Sequence, residues 1–171
     1  TITAIQNSNA ASRKATVTLS GILTETIHIT QDAAGMESTE YGPIEVGGGG
    51  GNYSLMITSD AAWKAITNGS WFAISPTEGE KGTTAVVLSI SPNNSTSERN
   101  GKIDFKIGSK DIFSVGINQE KSYFNISTAN LSIGAVAGSR TLTVSSNVEW
   151  TIISKPEWIT TDIESGTGDA S

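Results

Sequence analysis

The sequence predicts an all-β molecule built from tandem immunoglobulin-like sandwiches, each of about seven strands, with a period of about 87 residues. Three observations carry this. Residues 44–84 align without a gap on residues 131–171 at an offset of 87 (131 − 44): Ile44 with Leu131, Leu55 with Leu142, Ile57 with Val144, Trp63 with Trp150, Trp71 with Trp158 and Gly79 with Gly166. Short runs alternate apolar and polar residues with period two, which marks strands with one wet face. No window carries the 3.6-residue pattern of a helix.

The repeat sets the domain organisation. Arg13 aligns with Arg99, Val17 with Ile103 and Leu19 with Phe105; after a two-residue slip, Ile27, Ile29 and Gln31 align with Val115, Ile117 and Gln119. Residues 1–33 therefore read as the C-terminal half of a first repeat, 34–120 as a complete repeat, and 121–171 as the N-terminal half of a third. Within the complete repeat, strands are expected near Pro43–Gly47, Tyr53–Ser59, Ala62–Thr67, Ser70–Ser75, Ala85–Ser91, Gly101–Ile107 and Ile112–Asn118. Tyr53, Leu55 and Ile57 share a face, as do Val86, Leu88 and Ile90, then Ile103 and Phe105, then Phe113, Val115 and Ile117. Ala33–Gly42, small and polar, is expected to be the linker between repeats. Gly47–Gly51 resembles a phosphate cradle in composition alone. No Lys-Ser/Thr follows and no helix opens, so it reads as a flexible strand-to-strand turn. Its aligned partner, Gly134–Gly138, reads GAVAG. The polar loops Asn7–Arg13 and Asn93–Arg99 each end in an arginine expected to tie the loop down.

Composition narrows the function. The net charge is −6, and an acidic chain is a poor partner for nucleic acid or an anionic membrane. No apolar run is long enough for a transmembrane helix. There is no cysteine and one histidine, His28, which alternation places opposite Ile27 and Ile29, facing solvent. A Ser-His-Asp arrangement would depend on that one imidazole, a cysteine nucleophile is impossible, and zinc sites built on Cys and His are excluded. Paired carboxylates of the glycosidase kind are conceivable at Asp162 with Glu164 or Glu78 with Glu80. Both pairs lie on turns without a flanking aromatic cluster, so solvated acids are the default. No calcium-loop string occurs. Sequence alone thus predicts no catalytic residue, no metal site and no cofactor.

The residues that recur in order are an Asp or Asn, a Trp, a second Trp, a Gly-rich turn, an Asn/Ser/Thr loop ending in Arg, Gly-x-Ile and a closing Ile-x-Gln. In the complete repeat these are Asp60, Trp63, Trp71, Gly79, Asn94, Arg99, Gly101, Ile103, Ile117 and Gln119. The third repeat supplies Asn147, Trp150, Trp158 and Gly166; the first supplies Asn9, Arg13, Val17, Ile29 and Gln31, with Ala15 where Gly101 stands. This ordered set resembles the BACON domain family of Bacteroidetes-associated modules. The resemblance implies a sandwich fold, an extracellular or cell-surface location and a carbohydrate-binding role.

The tryptophans are the remaining candidates for binding. Aromatic faces stack on sugar C–H edges, but Trp is also largely buried on average. Trp63 and Trp150, each beside apolar partners, are expected in the core. Trp71 with Phe72, and Trp158, follow turn residues and are the glycan-binding candidates. The expected function is a non-catalytic surface or secreted module, structural or adhesive, with glycan binding as the alternative. Its expected partners are neighbouring copies of the same repeat, and glycans.

One expectation is particular to this chain. Ser171 aligns with Thr84 and Thr1 with Val87, so the half repeat in 121–171 and that in 1–33 make almost one sandwich in register. Alone, the halves should expose Leu142, Val144, Trp150 and Ile152, and Val17, Leu19, Ile27 and Ile29. Two readings follow: head-to-tail completion between copies, which would propagate as a filament unless it closes, or a window on a longer continuous array.

Overall fold

The computed structural model describes residues 1–170; Ser171, the aligned partner of Thr84, lies outside them. The described residues form no helix. Fifteen strands follow in order: β1 (Arg13–Ser20), β2 (Thr24–Gln31), β3 (Met36–Ser38), β4 (Ile44–Val46), β5 (Gly51–Ser59), β6 (Trp63–Thr67), β7 (Phe72–Ser75), β8 (Glu78–Gly79), β9 (Gly82–Ile90), β10 (Arg99–Ile107), β11 (Lys110–Gln119), β12 (Phe124–Ile126), β13 (Val144–Ser146), β14 (Glu149–Thr151) and β15 (Ser165–Thr167). Strands β3 to β11 build a four-stranded sheet, β3-β5-β9-β7, and a five-stranded sheet, β4-β11-β10-β6-β8. This is the immunoglobulin-like sandwich that the alternation predicts.

All seven expected strands of this repeat are present, with ends shifted by a few residues. Two more were not anticipated. β3 lies inside the stretch read as a linker and pairs antiparallel with β5, Met36 opposite Ser59. Met36 is 7% exposed, so the segment is part of the core and not only a connector. β8 lies in the Gly-rich turn and pairs with β6, Trp63 opposite Gly79.

The chain divides into two compact units. Unit one holds Thr1–Ile44, Asn52–Ser89 and Gly101–Gly116. Its core takes Leu55, Ile57, Val86 and Leu88 from the four-stranded sheet and Trp63, Ile103, Phe105 and Val115 from the other, all buried. Trp63 lies against Phe105 with ring centroids 5.9 Å apart, and Phe105 stacks on Phe113 at 4.9 Å. This unit also contains the β1–β2 hairpin, in register from Arg13 opposite Gln31 to Ser20 opposite Thr24. On the hairpin Leu19 and Ile27 are exposed, as expected, while Val17 and Ile29 are half-buried. His28 is exposed.

Unit two holds Glu45–Gly51, Ile90–Asn100 and the described residues from Ile117 on. The glycine run is a hydrogen-bonded turn, with the Gly50 amide donating to the Gly47 carbonyl at 3.0 Å. Gly50 has φ +75° and a Cβ there would fall 2.3 Å from the Ile90 carbonyl oxygen, so only glycine fits. The expectation of a merely flexible turn is corrected by this packing. The third repeat reproduces part of the second: β12 pairs with β13, and β14 with β15, Trp150 opposite Gly166 as Trp63 is opposite Gly79. Leu142 and Ile152 are exposed, but Val144 is 8% exposed, because β12 and Ala170 both bond to it. Trp150 is half-buried, not a core residue like Trp63; its indole Nε1 donates to the Gly168 carbonyl at 2.9 Å and its ring borders a shallow open cavity.

Candidate functional site

The densest polar constellation lies where the Asn93–Arg99 loop meets the end of β11. Gln119 is 1% exposed and Asn93 is 1% exposed. Buried amides need partners, and these have them. The Asn93 side-chain amide donates to the carbonyls of Ser97 (2.8 Å) and Glu120 (2.9 Å), and its Oδ1 accepts from the Ser95 amide at 3.3 Å. Gln119 Nε2 donates to the Ser91 carbonyl at 3.0 Å and more weakly to those of Gly47 and Gly48. Arg99 Nε donates to Gln119 Oε1 at 2.8 Å, and Nη2 to the carbonyls of Ser91 and Pro92. Burial pushes the guanidinium pKa down.

The first repeat has the same set. Asn7 donates to the Ala11 and Asp32 carbonyls, and its Oδ1 accepts from the Asn9 amide. Arg13 donates through Nε to Gln31 Oε1 at 2.8 Å and through Nη2 to the carbonyls of Ile5 and Gln6. The arginines do tie their loops down, as expected. The asparagines that open the loops were missed as anchors. Their signal is present: Asn7 and Asn93 each stand six residues before the arginine. Chemically, this constellation spends its donors on backbone carbonyls. It positions loops and leaves no nucleophile, general base or metal-ligand set.

The aromatic candidates are not brought together as a platform. Phe72 is 4% exposed, packed by Gly69 and Gly101, so it offers no face to a sugar; that candidate is corrected to a core residue. Trp71 is half-buried and meets Phe72 edge-on, centroids 4.7 Å apart. Trp158 is 81% exposed, on a stretch outside any strand.

Two of the four acidic candidates are engaged by lysines. Glu164 pairs with Lys155 at 2.7 Å, and that hydrogen bond holds its carboxyl below the usual range. A glycosidase acid needs the opposite shift. Glu78 pairs with Lys64 at 3.3 Å. Asp162 and Glu80 are exposed. Among the described residues no group of three or more His, Asp or Glu could hold a metal ion.

Comparison with family models decides the family. The BACON model, described as "Putative binding domain, N-terminal", matches residues 61–120, and the viral BACON domain model matches residues 123–171. The chain belongs to the BACON family. Two adjacent BACON matches agree with a tandem arrangement. Comparison with curated proteins gives no match. Among solved structures, a Bacteroides ovatus GH5 xyloglucanase in complex with a XXXG heptasaccharide is 27% identical, with a TM-score of 0.46, covering 50% of this chain and 19% of that one. WR4, a C. elegans MSP family member, is 15% identical at a TM-score of 0.35, covering 50% of this chain and 96% of that one. A chaperone–tip adhesin complex of CFA/I fimbriae biogenesis is 14% identical at a TM-score of 0.43, covering 67% of this chain and 68% of that one. This chain thus spans about a fifth of the xyloglucanase chain.

Proposed function

We propose that this BACON chain is a non-catalytic structural segment of an extracellular bacterial surface or secreted protein, a spacer or adhesive array made of one complete repeat, 34–120, between the half repeats 1–33 and 121–171. The observation that carries the reading is the repeated Asn–Arg–Gln constellation. Equivalent polar side chains hold equivalent backbone carbonyls in successive repeats, and their hydrogen bonds serve the architecture. The alternative, a glycan-binding module, draws on one observation, the exposed indole of Trp158. A glycan array probed with the intact chain and with the double variant Trp71→Ala, Trp158→Ala tests the choice. The spacer reading expects no saturable retention. Retention that the double variant loses while still folded refutes it in favour of the alternative.

As a finer part of this reading, neighbouring copies of the chain would meet head to tail. In the complete repeat Phe105 covers Trp63. The aligned residues are Leu19, 55% exposed, and Trp150, half-buried beside an open cavity. Leu19 of one copy would cover Trp150 of the next, by strand addition to an open edge. Sedimentation at rising concentration should show mass beyond the 17.8-kDa chain, abolished by Leu19→Asp. A monomer at every concentration contradicts it.

A further inference from the structure

The stretch between repeats is not a slack tether. It is held from both sides at both joints, in part by equivalent atoms. In unit two, the Glu120 amide donates to the Val46 carbonyl (2.9 Å) and the Ser122 amide to the Ser95 carbonyl (3.1 Å), while Ser122 Oγ donates to the Asn93 carbonyl. All the acceptors belong to the complete repeat. One residue on, the Tyr123 amide donates to Asn147 Oδ1 at 3.0 Å, and the Asn147 amide returns to the Tyr123 carbonyl at 3.4 Å. Asn147 Nδ2 donates to the Lys121 carbonyl at 2.9 Å. Asn147 belongs to the third repeat, yet it also lies against the glycine run of the second. A Cβ on Gly48 would fall 2.8 Å from Asn147 Nδ2, and one on Gly49 would fall 3.1 Å from the Asn147 carbonyl oxygen.

Unit one repeats this at the preceding joint. The Ala34 amide donates to the Asn9 carbonyl at 2.8 Å, in the role of Ser122 and Ser95. Asp60, aligned with Asn147, accepts from the Gly35 amide through Oδ2 at 3.1 Å, and its own amide donates to the Gly35 carbonyl at 3.0 Å. Aspartate lacks the amide N–H that Asn147 uses, and the bridging here runs the other way. Gln6 of the first repeat donates through Nε2 to the Asp60 carbonyl, and accepts from Lys81 Nζ of the second at 3.0 Å. Lys110 Nζ of the second repeat reaches the Ala10 carbonyl of the first at 2.8 Å.

From these two joints we infer that the pole of each repeat, made by its Asn-opened loop and the end of its last strand, is a docking surface whose partner is the Asp60/Asn147 turn of the next repeat. At the second joint the glycine run completes that surface, and Gly48 and Gly49 are glycines because Asn147 seats there. The inference rests on the structural-array reading and specifies how the array is held: neighbouring repeats are fixed in orientation, not strung on flexible linkers. Several hydrogen bonds at each joint resist bending together, because loosening the joint breaks them at once.

The absence of cysteine allows the test in the intact chain. Nitroxide labels at Glu98→Cys and Asn125→Cys, both exposed positions, report the separation of the second and third repeats by electron–electron double resonance. The expected result is one narrow distance distribution. Gly48→Leu, which wedges the seat while leaving the internal bonds of the third repeat intact, should broaden or shift it, and Asn147→Ala should broaden it. Circular dichroism and the melting of each variant check that the β content is kept. A broad distribution in the unsubstituted labelled chain overturns the inference, and so does a distribution that a folded Gly48→Leu variant leaves unchanged. Neither outcome bears on glycan retention, so failure of the joint and failure of the spacer reading are distinguishable.

Discussion

At the scale of single residues, the chain separates side chains that pack from side chains that anchor loops. Trp63 is 2% exposed, beside Phe105, and its indole Nε1 has no acceptor among the described residues. Its contribution is therefore packing. Trp63→Ala should cost about 3–5 kcal/mol, the range for buried aromatic truncations, and Trp150→Ala less, since that ring is half-buried. Chemical denaturation of both variants checks the order. Asp104 is a different case. Ser114 Oγ donates to it at 2.5 Å, Lys102 pairs with it at 3.0 Å, and its pKa is lowered, chiefly by the Ser114 hydrogen bond. A carboxyl whose pKa is lower folded than unfolded stabilises the fold above its unfolded value, near 3.8, and that stability is lost as pH falls through the folded value. Asp104→Asn should flatten the loss of stability below about pH 4 in acid titrations followed by circular dichroism. An unchanged acid limb would mean that the carboxylate is too solvated to contribute.

At the scale of elements, long alternating strands were legible and short ones were not. β5, β9, β10 and β11 each run nine or ten residues and bury every second side chain over most of their length, so periodicity finds them. β3 and β8, of three and two residues, are too short to show a period. What defines β8 is its partner: Gly79 faces Trp63, and a Cβ there would fall 2.7 Å from Trp63 Nε1. The recurrence of Gly79 as Gly166 was visible in the sequence, but its reason, a ring lying on the glycine, was not. Gly79→Ala should destabilise by about 1–3 kcal/mol, as overpacking of a closed core does. Gly166→Ala should cost less, because the Trp150 ring, with 2.9 Å clearance and an open flank, has room to give. Equal costs in thermal melts would contradict this account. Among the site candidates, the turn context of Trp71 and Phe72 suggested exposure. Phe72 instead begins β7 and shares its buried face with Ile74, a face that the turn residues before it do not reveal.

At the scale of the whole molecule, the repeat was the legible feature, and the joints were the hidden one. Residues 33–42 look like a linker because they are small and polar, and composition does not reveal that Ala34 and Gly35 are held by Asn9 and Asp60. The repeated loop arginines were legible; the asparagines and glutamines that complete each pole act through backbone carbonyls, whose positions no side-chain pattern encodes. Successive BACON repeats share hydrogen-bonded joints. Amide hydrogen exchange on the intact chain tests it most directly, at Ala34, Gly35, Glu120, Ser122 and Tyr123. If the joints hold in solution, these amides exchange far more slowly than a free peptide and approach the protection of β10 and β11. Exchange at the free-peptide rate, with β10 and β11 still protected, would contradict it.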